Sequence, residues 1–488
     1  MRVEQDRSDR RMGFRNERDD VREPQSGASH LGAATPDGPQ NGARPGSWHV
    51  RAEAVTRASC LAIVLVLLFH ARLEARLQDP ATRLASTTSS GAASNGPSSY
   101  PALAADGRFV AFASSASNLA AGDANGYDDV FVKDLATSAI VCVSLTPAGA
   151  TGNGESSAAS ICGDGSRVVL ASEASDLVPS DTNGVADVFL RDLAGGTTLR
   201  LSVAAGGAEA DGASAAPRIS ADGRFVAFTS RATNLVAADL NAQSDVFVRD
   251  LATGALERIS ISAAGGDPDG PSEGAAISAD GRFVAFASAA SNLIGGEAPP
   301  TRRTWNVYRR DRETGATVRA SPNQVGLAGD GQSSAPAISA DGRWIAFTSR
   351  ASDLVAGDGN ARADVYLRDC AAGSTTRVSL GPGGVEPAGD SVRPSISGDG
   401  RRVVFESSAA NILLQPSPAR STWVLVFDRE SGERQRVVPA AAVPRPDGGT
   451  LNAAISADGR WIAFSSGEPG LVAGDANELE DVFVHAVP

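Results

Sequence analysis

Five segments of this chain share one spacing of oxygen-bearing side chains, Asp-x-Asn-x-x-x-Asp. They are Asp123/Asn125/Asp129, Asp181/Asn183/Asp187, Asp239/Asn241/Asp245, Asp358/Asn360/Asp364 and Asp475/Asn477/Asp481. Alternating oxygens on a turning loop suit a hard cation, because Ca²⁺ takes about 6–8 oxygen ligands. The spacing is like the first half of an EF-hand-type loop. It lacks the bidentate Glu at the twelfth place, so a Ca²⁺ site would need ligands from elsewhere. The same residues have a second use. Asn or Asp can fold an Asx-turn into a following strand, and the last Asp can cap that strand. Turn chemistry accounts for the pattern without a metal, and its repetition points to a structural role under either reading.

Two related segments depart from the pattern. Pro299-Pro-Thr-Arg-Arg-Thr-Trp305 and Pro416-Ser-Pro-Ala-Arg-Ser-Thr-Trp423 each place Arg shortly before a Thr-Trp pair. Arg303, Trp305, Arg420 and Trp423 are residue types of binding hot spots, and are the candidate partner contacts. The plainer alternative buries both Trp rings between structural units and leaves the Arg side chains in solvent.

Catalytic groups are scarce. Lys133 is the chain's one Lys, and His485 is the one His after residue 81. Gly270-Pro-Ser-Glu-Gly274 matches the letters of a nucleophile elbow. That elbow needs a strand-to-helix turn, and a small-residue strand follows instead. No Cys/His cluster offers a transition-metal site. Asp pairs could support glycoside chemistry, but these Asp residues recur at turns. We therefore expect no catalytic residue.

What must position these groups is a repeat. Asp106, Asp164, Asp222, Asp280, Asp341, Asp399 and Asp458 are each followed by Gly, at intervals of 58, 58, 58, 61, 58 and 59 residues. A fixed period of this kind marks an array of identical units. Each unit holds four short runs, a to d, separated by turn signals, as strands are. In the third copy these are Ala215–Ser220, Arg224–Thr229, Asp245–Arg249 and Ala255–Ile261. Runs b and c are continuously apolar, as strands buried on both faces are. Run d alternates, and run a is made of small residues that suit a crowded centre. The expectation is an all-β, seven-bladed β-propeller of four-stranded blades. The last copy ends at Asp481-Val-Phe-Val-His485 without a run d, and an orphan run d stands at Ala81–Ser86. An N-terminal strand should therefore complete the last blade. An open solenoid is the alternative.

Ile-Ser-Ala-Asp-Gly-Arg-(Phe/Trp)-(Val/Ile)-Ala-Phe, followed by Asp-Val-(Phe/Tyr)-(Val/Leu)-Arg-Asp, resembles the WD40-like (PD40) repeat of the TolB-type propeller family. The resemblance covers about 81–488. It implies a propeller used as a periplasmic interaction module. The α/β domain that precedes the propeller in TolB itself is not apparent here. In the sialidase Asp-box, Gly sits two places after Asp, whereas Asp222 and Gly223 are adjacent, so that activity is not implied.

Residues 1–57 are rich in Arg, Asp, Gly, Pro and Gln and are expected to be disordered. Ala58–Phe69 is apolar. Its twelve residues would span about 18 Å as a helix, against a hydrocarbon core of about 30 Å. With Arg51 and Arg57 ahead and Leu73-Glu-Ala75 behind, residues 58–75 read as a signal peptide, the alternative being a short membrane anchor. A start of translation near Val50 or Val55 would place that peptide at the N-terminus, and N-terminal sequencing would decide it. Cys60 precedes the apolar run, so a lipoprotein anchor is not expected. Cys142 and Cys162 fall on an outer and an inner strand, too far apart to bridge. We expect both to be small buried side chains.

The net charge of −13 argues against nucleic acid and anionic membranes as partners. Up-and-down strand order puts the short a–b and c–d turns on one face and the long b–c and d–a loops on the other. The leading expectation is an exported, non-catalytic propeller that binds a protein or cell-envelope partner through its long-loop face, with Ca²⁺ stiffening the b–c loops as one option. The competing class is an enzyme acting on a polysaccharide or peptide there.

Overall fold

The computed structural model describes residues 82–487, apart from 238, 297–302, 415–421, 438–450, 469–470, 473–474 and 476. The expected tail (1–57) and apolar segment (58–75) lie outside the described residues. Seven antiparallel four-stranded sheets follow one another, and in six of them the strand order is a-b-c-d in sequence. Blade 1 is Ser98–Leu103, Phe109–Ser114, Asp129–Asp134 and Ile140–Cys142. The seventh sheet takes its a, b and c strands from the C-terminus and its d strand, Thr82–Leu84, from the N-terminus. Thr82 pairs with His485 and Leu84 with Phe483. The ring is closed as the orphan run predicts.

The repeat motif explains how blades stack. The a–b turn glycine has φ of +76° at Gly165, a conformation that L side chains avoid. A Cβ there would also meet the Phe109 ring of the preceding blade at 2.3 Å. Gly107, Gly281, Gly342 and Gly400 stand the same way against Trp461, Phe225, Phe283 and Trp344. The Arg after the glycine reaches the last residue of strand c: Arg108 Nε and Nη2 lie 3.1 and 2.8 Å from the two carboxylate oxygens of Asp134. That bidentate bond holds the Asp134 carboxyl well below the usual range.

Strands b and c supply the core. Val168 and Leu170 of blade 2 are fully buried and pack with Val130, Val132 and Val143 of blade 1. Cross-strand rings stack inside blades, as in Phe112–Phe131 at 6.0 Å between centroids. Each blade therefore uses its apolar faces against its two neighbours.

Strand a of every blade carries a register shift, at its third and fourth residues in blades 1–6 and at Asn452 and Ala453 in blade 7. One residue of each bulge adopts positive φ: Tyr100, Ala158, Ala216, Gly274, Ala335, Arg393 and Asn452. These bulges line a central cavity of about 600 Å³. Because strand a starts at the d–a loop, the bulges lie toward the long-loop face.

Candidate functional site

The Asp-x-Asn-x-x-x-Asp segments form Asx-turns. Asn125 Oδ1 accepts from Tyr127 N at 2.9 Å, and Asn183, Asn241, Asn360 and Asn477 repeat this two residues on. The Asn side-chain amide donates to a carbonyl of the following d–a loop, Gly152 O at 2.9 Å in blade 1. The last Asp opens strand c, is fully buried, and accepts the hydroxyl of a serine two residues past the end of strand d. Ser144 donates to Asp129 at 2.5 Å, and Ser202, Ser260, Ser379 and Ser86 donate to Asp187, Asp245, Asp364 and Asp481. The pattern thus sews the b–c loop and the start of strand c to the segment that leaves strand d and to the next loop.

In three blades an arginine of strand d enters the same pocket. Arg200 Nη1 lies 2.8 Å from Asp181, 3.4 Å from Asp187 and 2.7 Å from Glu209. Arg258 meets Asp239, Asp245 and Asp267 at 3.3, 3.6 and 2.7 Å. Arg377 meets Asp358, Asp364 and Glu386 at 3.0, 3.5 and 3.3 Å. The cation of these pockets is a guanidinium. Burial, with the neighbouring Asp245 charge, still pushes the Asp239 carboxyl up to about 6. Sequence reading missed these arginines, although each stands 13 residues after the strand c Asp. Cys142 takes the position in blade 1 and Leu84 in blade 7, facing Phe131 and Phe483 as Arg200 faces Phe189. The described part of the blade 1 pocket holds Asp123, Asn125 and Asp129, and that of blade 7 holds Asp475, Asn477 and Asp481.

The two Thr-Trp segments are not equivalent. Trp423 is the first residue of strand c in blade 6, where five blades have Asp and blade 4 has Asn306, and is buried. Arg436 lies over its ring, 4.0 Å from the centroid. Trp305 sits one place earlier, ahead of Asn306, and is half-buried. Arg303 is exposed and pairs with Asp269 at 3.2 Å. Arg420 lies outside the described residues.

Ser272 of the elbow-like sequence is the first residue of a strand a, buried, with its hydroxyl 2.9 Å from Ser288. It repeats the Ser98–Ser114 bond of blade 1 and has the same structural partner type. Cys142 and Cys162 are buried free thiols. Burial pushes the Cys142 thiol up to about 12, which leaves it unreactive near neutral pH.

The symmetry breaks at the channel mouth. Four of the seven bulge residues are Ala or Gly, while Arg393, Asn452 and Tyr100 follow one another in blades 6, 7 and 1. Glu406 of strand b is fully buried where other blades have Ala, Thr or Ser. Its carboxylate accepts Arg393 Nε at 2.9 Å and Arg393 Nη2, and also the backbone N–H of Asn452 at 2.6 Å. Arg393 itself is half-exposed and lines the channel. Deeper in the wall, Arg218 is exposed to the channel and bonds the carbonyl of Pro217 at 2.9 Å. Arg218 and Arg393 are the charged residues of the described wall. Tyr100 adds an exposed ring beside them.

No family model matches the sequence, and no curated protein matches it. Solved structures do. TolB from Acinetobacter baumannii is 17% identical over 70% of this chain and 63% of its own length, with a TM-score of 0.38. The β-propeller domain of the trilobed protease from Pyrococcus furiosus is 12% identical over 80% of this chain and 93% of its own, at 0.49. An oligogalacturonate lyase in complex with manganese is 13% identical over 83% and 96%, at 0.51. The neighbours thus include TolB and other propeller proteins, and the likeness is one of fold.

Proposed function

We propose that the ring is an exported, non-catalytic binding module that holds an anionic segment of a protein or cell-envelope partner at the channel mouth of its long-loop face. The observation that carries this reading is the channel wall. In a chain of net charge −13, the described wall has two charged residues, and both are arginines. Glu406 fixes Arg393 through two parallel bonds, so the guanidinium is oriented before any ligand arrives. The half-exposed Arg393 guanidinium and Arg218 are donors for carboxylates, and charge-assisted bonds of this type contribute about 1.5–3 kcal/mol each. Tyr100 and Asn452 supply a flat apolar surface and a neutral amide beside them. Export rests on the apolar segment 58–69. Among the described residues no helix is long and apolar enough to cross a membrane.

The test is titration calorimetry with acidic extended peptides and with anionic oligosaccharides, each against a neutral counterpart. Binding that weakens at least tenfold in both Arg393→Ala and Arg218→Ala supports the site. Equal affinity in those variants would remove the channel from the proposal. Release of product from either ligand class would replace the binding module by an enzyme.

A further inference from the structure

We propose that the pocket between Asp475 and Asp481 in blade 7 is a site for a hard divalent cation of the Ca²⁺ class, and that this ion locks the seam where the two chain ends meet. The inference is independent of the channel reading. Its basis is the comparison of blades that share one pocket design. In blades 2, 3 and 5 a guanidinium sits among the carboxylates. In blade 7 the strand register puts Leu84 where those arginines stand. The third carboxylate is gone as well: Ala93 occupies the bridge position that Glu209 holds in blade 2.

The two remaining carboxylates are left with a gap. Asp481 is fully buried. Its Oδ1 accepts from Ser86 at 2.5 Å and Ser94 at 2.8 Å. Its Oδ2 has no donor among the described residues. The corresponding oxygen of Asp187 accepts from both Arg200 and Asn183. In blade 7 the amide of Asn477 donates to Ser94 O. A buried carboxylate oxygen without a partner is costly, and a cation is the partner its sibling pockets use. Two carboxylates match one divalent ion in charge. Ca²⁺ accepts waters in its remaining positions, whereas a transition metal would call for nitrogen or sulfur ligands.

Blade 1 also lacks the arginine, but both Asp129 oxygens are bonded, by Ser144 and Asn125. It is not part of the proposal. The location gives the blade 7 ion a task. Asp481 belongs to the last strand, and the serines bonded to it belong to the N-terminal segment that closes the ring. An ion on Asp481 would hold that carboxylate charged and in place, and with it both ends of the chain.

The experiment is thermal melting of the full chain at pH 7.5, in EDTA and with added CaCl₂, together with equilibrium dialysis against radioactive calcium. Wild type should gain about 3 °C at a hundredfold excess over Kd. Asp475→Asn, at a half-buried position, should fold and lose the gain. Leu84→Arg should restore the sibling arrangement, melt in EDTA at least as high as calcium-loaded wild type, and bind one ion fewer. Wild type that neither gains stability nor retains calcium would overturn the proposal and leave a shared proton between the carboxylates. A gain that survives in Asp475→Asn would overturn it too, by placing the ion elsewhere.

Discussion

The ammonium of Lys133 lies 3.0 Å from the carbonyl oxygen of Thr87, a contact that joins blade 1 to the segment completing blade 7. The same nitrogen reaches Thr88 O at 3.0 Å and Ser138 O at 2.9 Å. Arg249 does the equivalent work between blades 3 and 2, donating to Leu201 O, Val203 O and Gly254 O. The chain's single Lys therefore fastens blade 1 to the N-terminal segment that completes blade 7.

Replacing Lys133 by Met should cost about 3 kcal/mol, because three carbonyls in a dry place lose their donor. Lys133→Arg should cost less than a third of that, since arginine fills the same role in blade 3. Urea melts of the three proteins measure the difference. Amine-reactive reagents should label Lys133 only after unfolding, because the side chain is buried.

Removing the pocket cation of blade 3 should be more damaging. Arg258→Met leaves Asp239, Asp245 and Asp267 together without a counter-charge. The expected loss is about 3–5 kcal/mol at pH 7.5. Part should return at pH 5, where protonation relieves the cluster and Asp239 is already pushed up to about 6. Chemical denaturation of variant and wild type at the two pH values checks both halves.

The ring was legible because its signals are local. The Asp-Gly period, the apolar b and c runs and the orphan run d each occupy a few adjacent residues. The pockets were half legible. Asp239 and Asn241 stand out by spacing, but Arg258 becomes their partner only through the pairing of strands c and d, where Phe247 faces Arg258. The channel mouth was not legible. Its bulge takes positive φ with Ala158, Ala216 and Ala335 as readily as with Gly274, so no residue type marks it. Arg393 and Glu406 then read as two unrelated surface charges. Trp305 and Trp423 looked like a matched pair because Thr precedes each, and their registers differ by one residue.

Two glycines with similar backbones should respond differently to alanine. Gly184 has φ of +67° and open space around its Cβ position. Gly184→Ala should cost about 1 kcal/mol, the expense of a left-handed non-glycine residue. Gly165→Ala carries the same backbone cost and drives a methyl into Phe109, so the blades must shift. Its loss should exceed that of Gly184→Ala by at least about 2 kcal/mol. Paired urea melts separate the two contributions, and equal losses would show that the Phe109 contact carries no energy.

Blade 1 offers the opposite experiment, a gain. Asp129 is fully buried, and desolvation lifts its carboxyl to about 6. The folded chain therefore holds a proton more tightly at this site than the unfolded chain, where the value is near 3.9. The resulting stability is complete below about pH 4 and is lost as the pH rises through 6, up to roughly 2–3 kcal/mol. Cys142→Arg places a guanidinium where Arg200 stands in blade 2 and should meet both Asp123 and Asp129. It should hold Asp129 charged and lower its affinity for the proton. In EDTA the variant should then be more stable than wild type at pH 7.5, with the advantage shrinking toward pH 5. Taking the difference between the two proteins at each pH cancels the contribution of the groups they share. An advantage that stays constant from pH 5 to 7.5 would mean that the new arginine packs well but does not pair with the buried carboxylate.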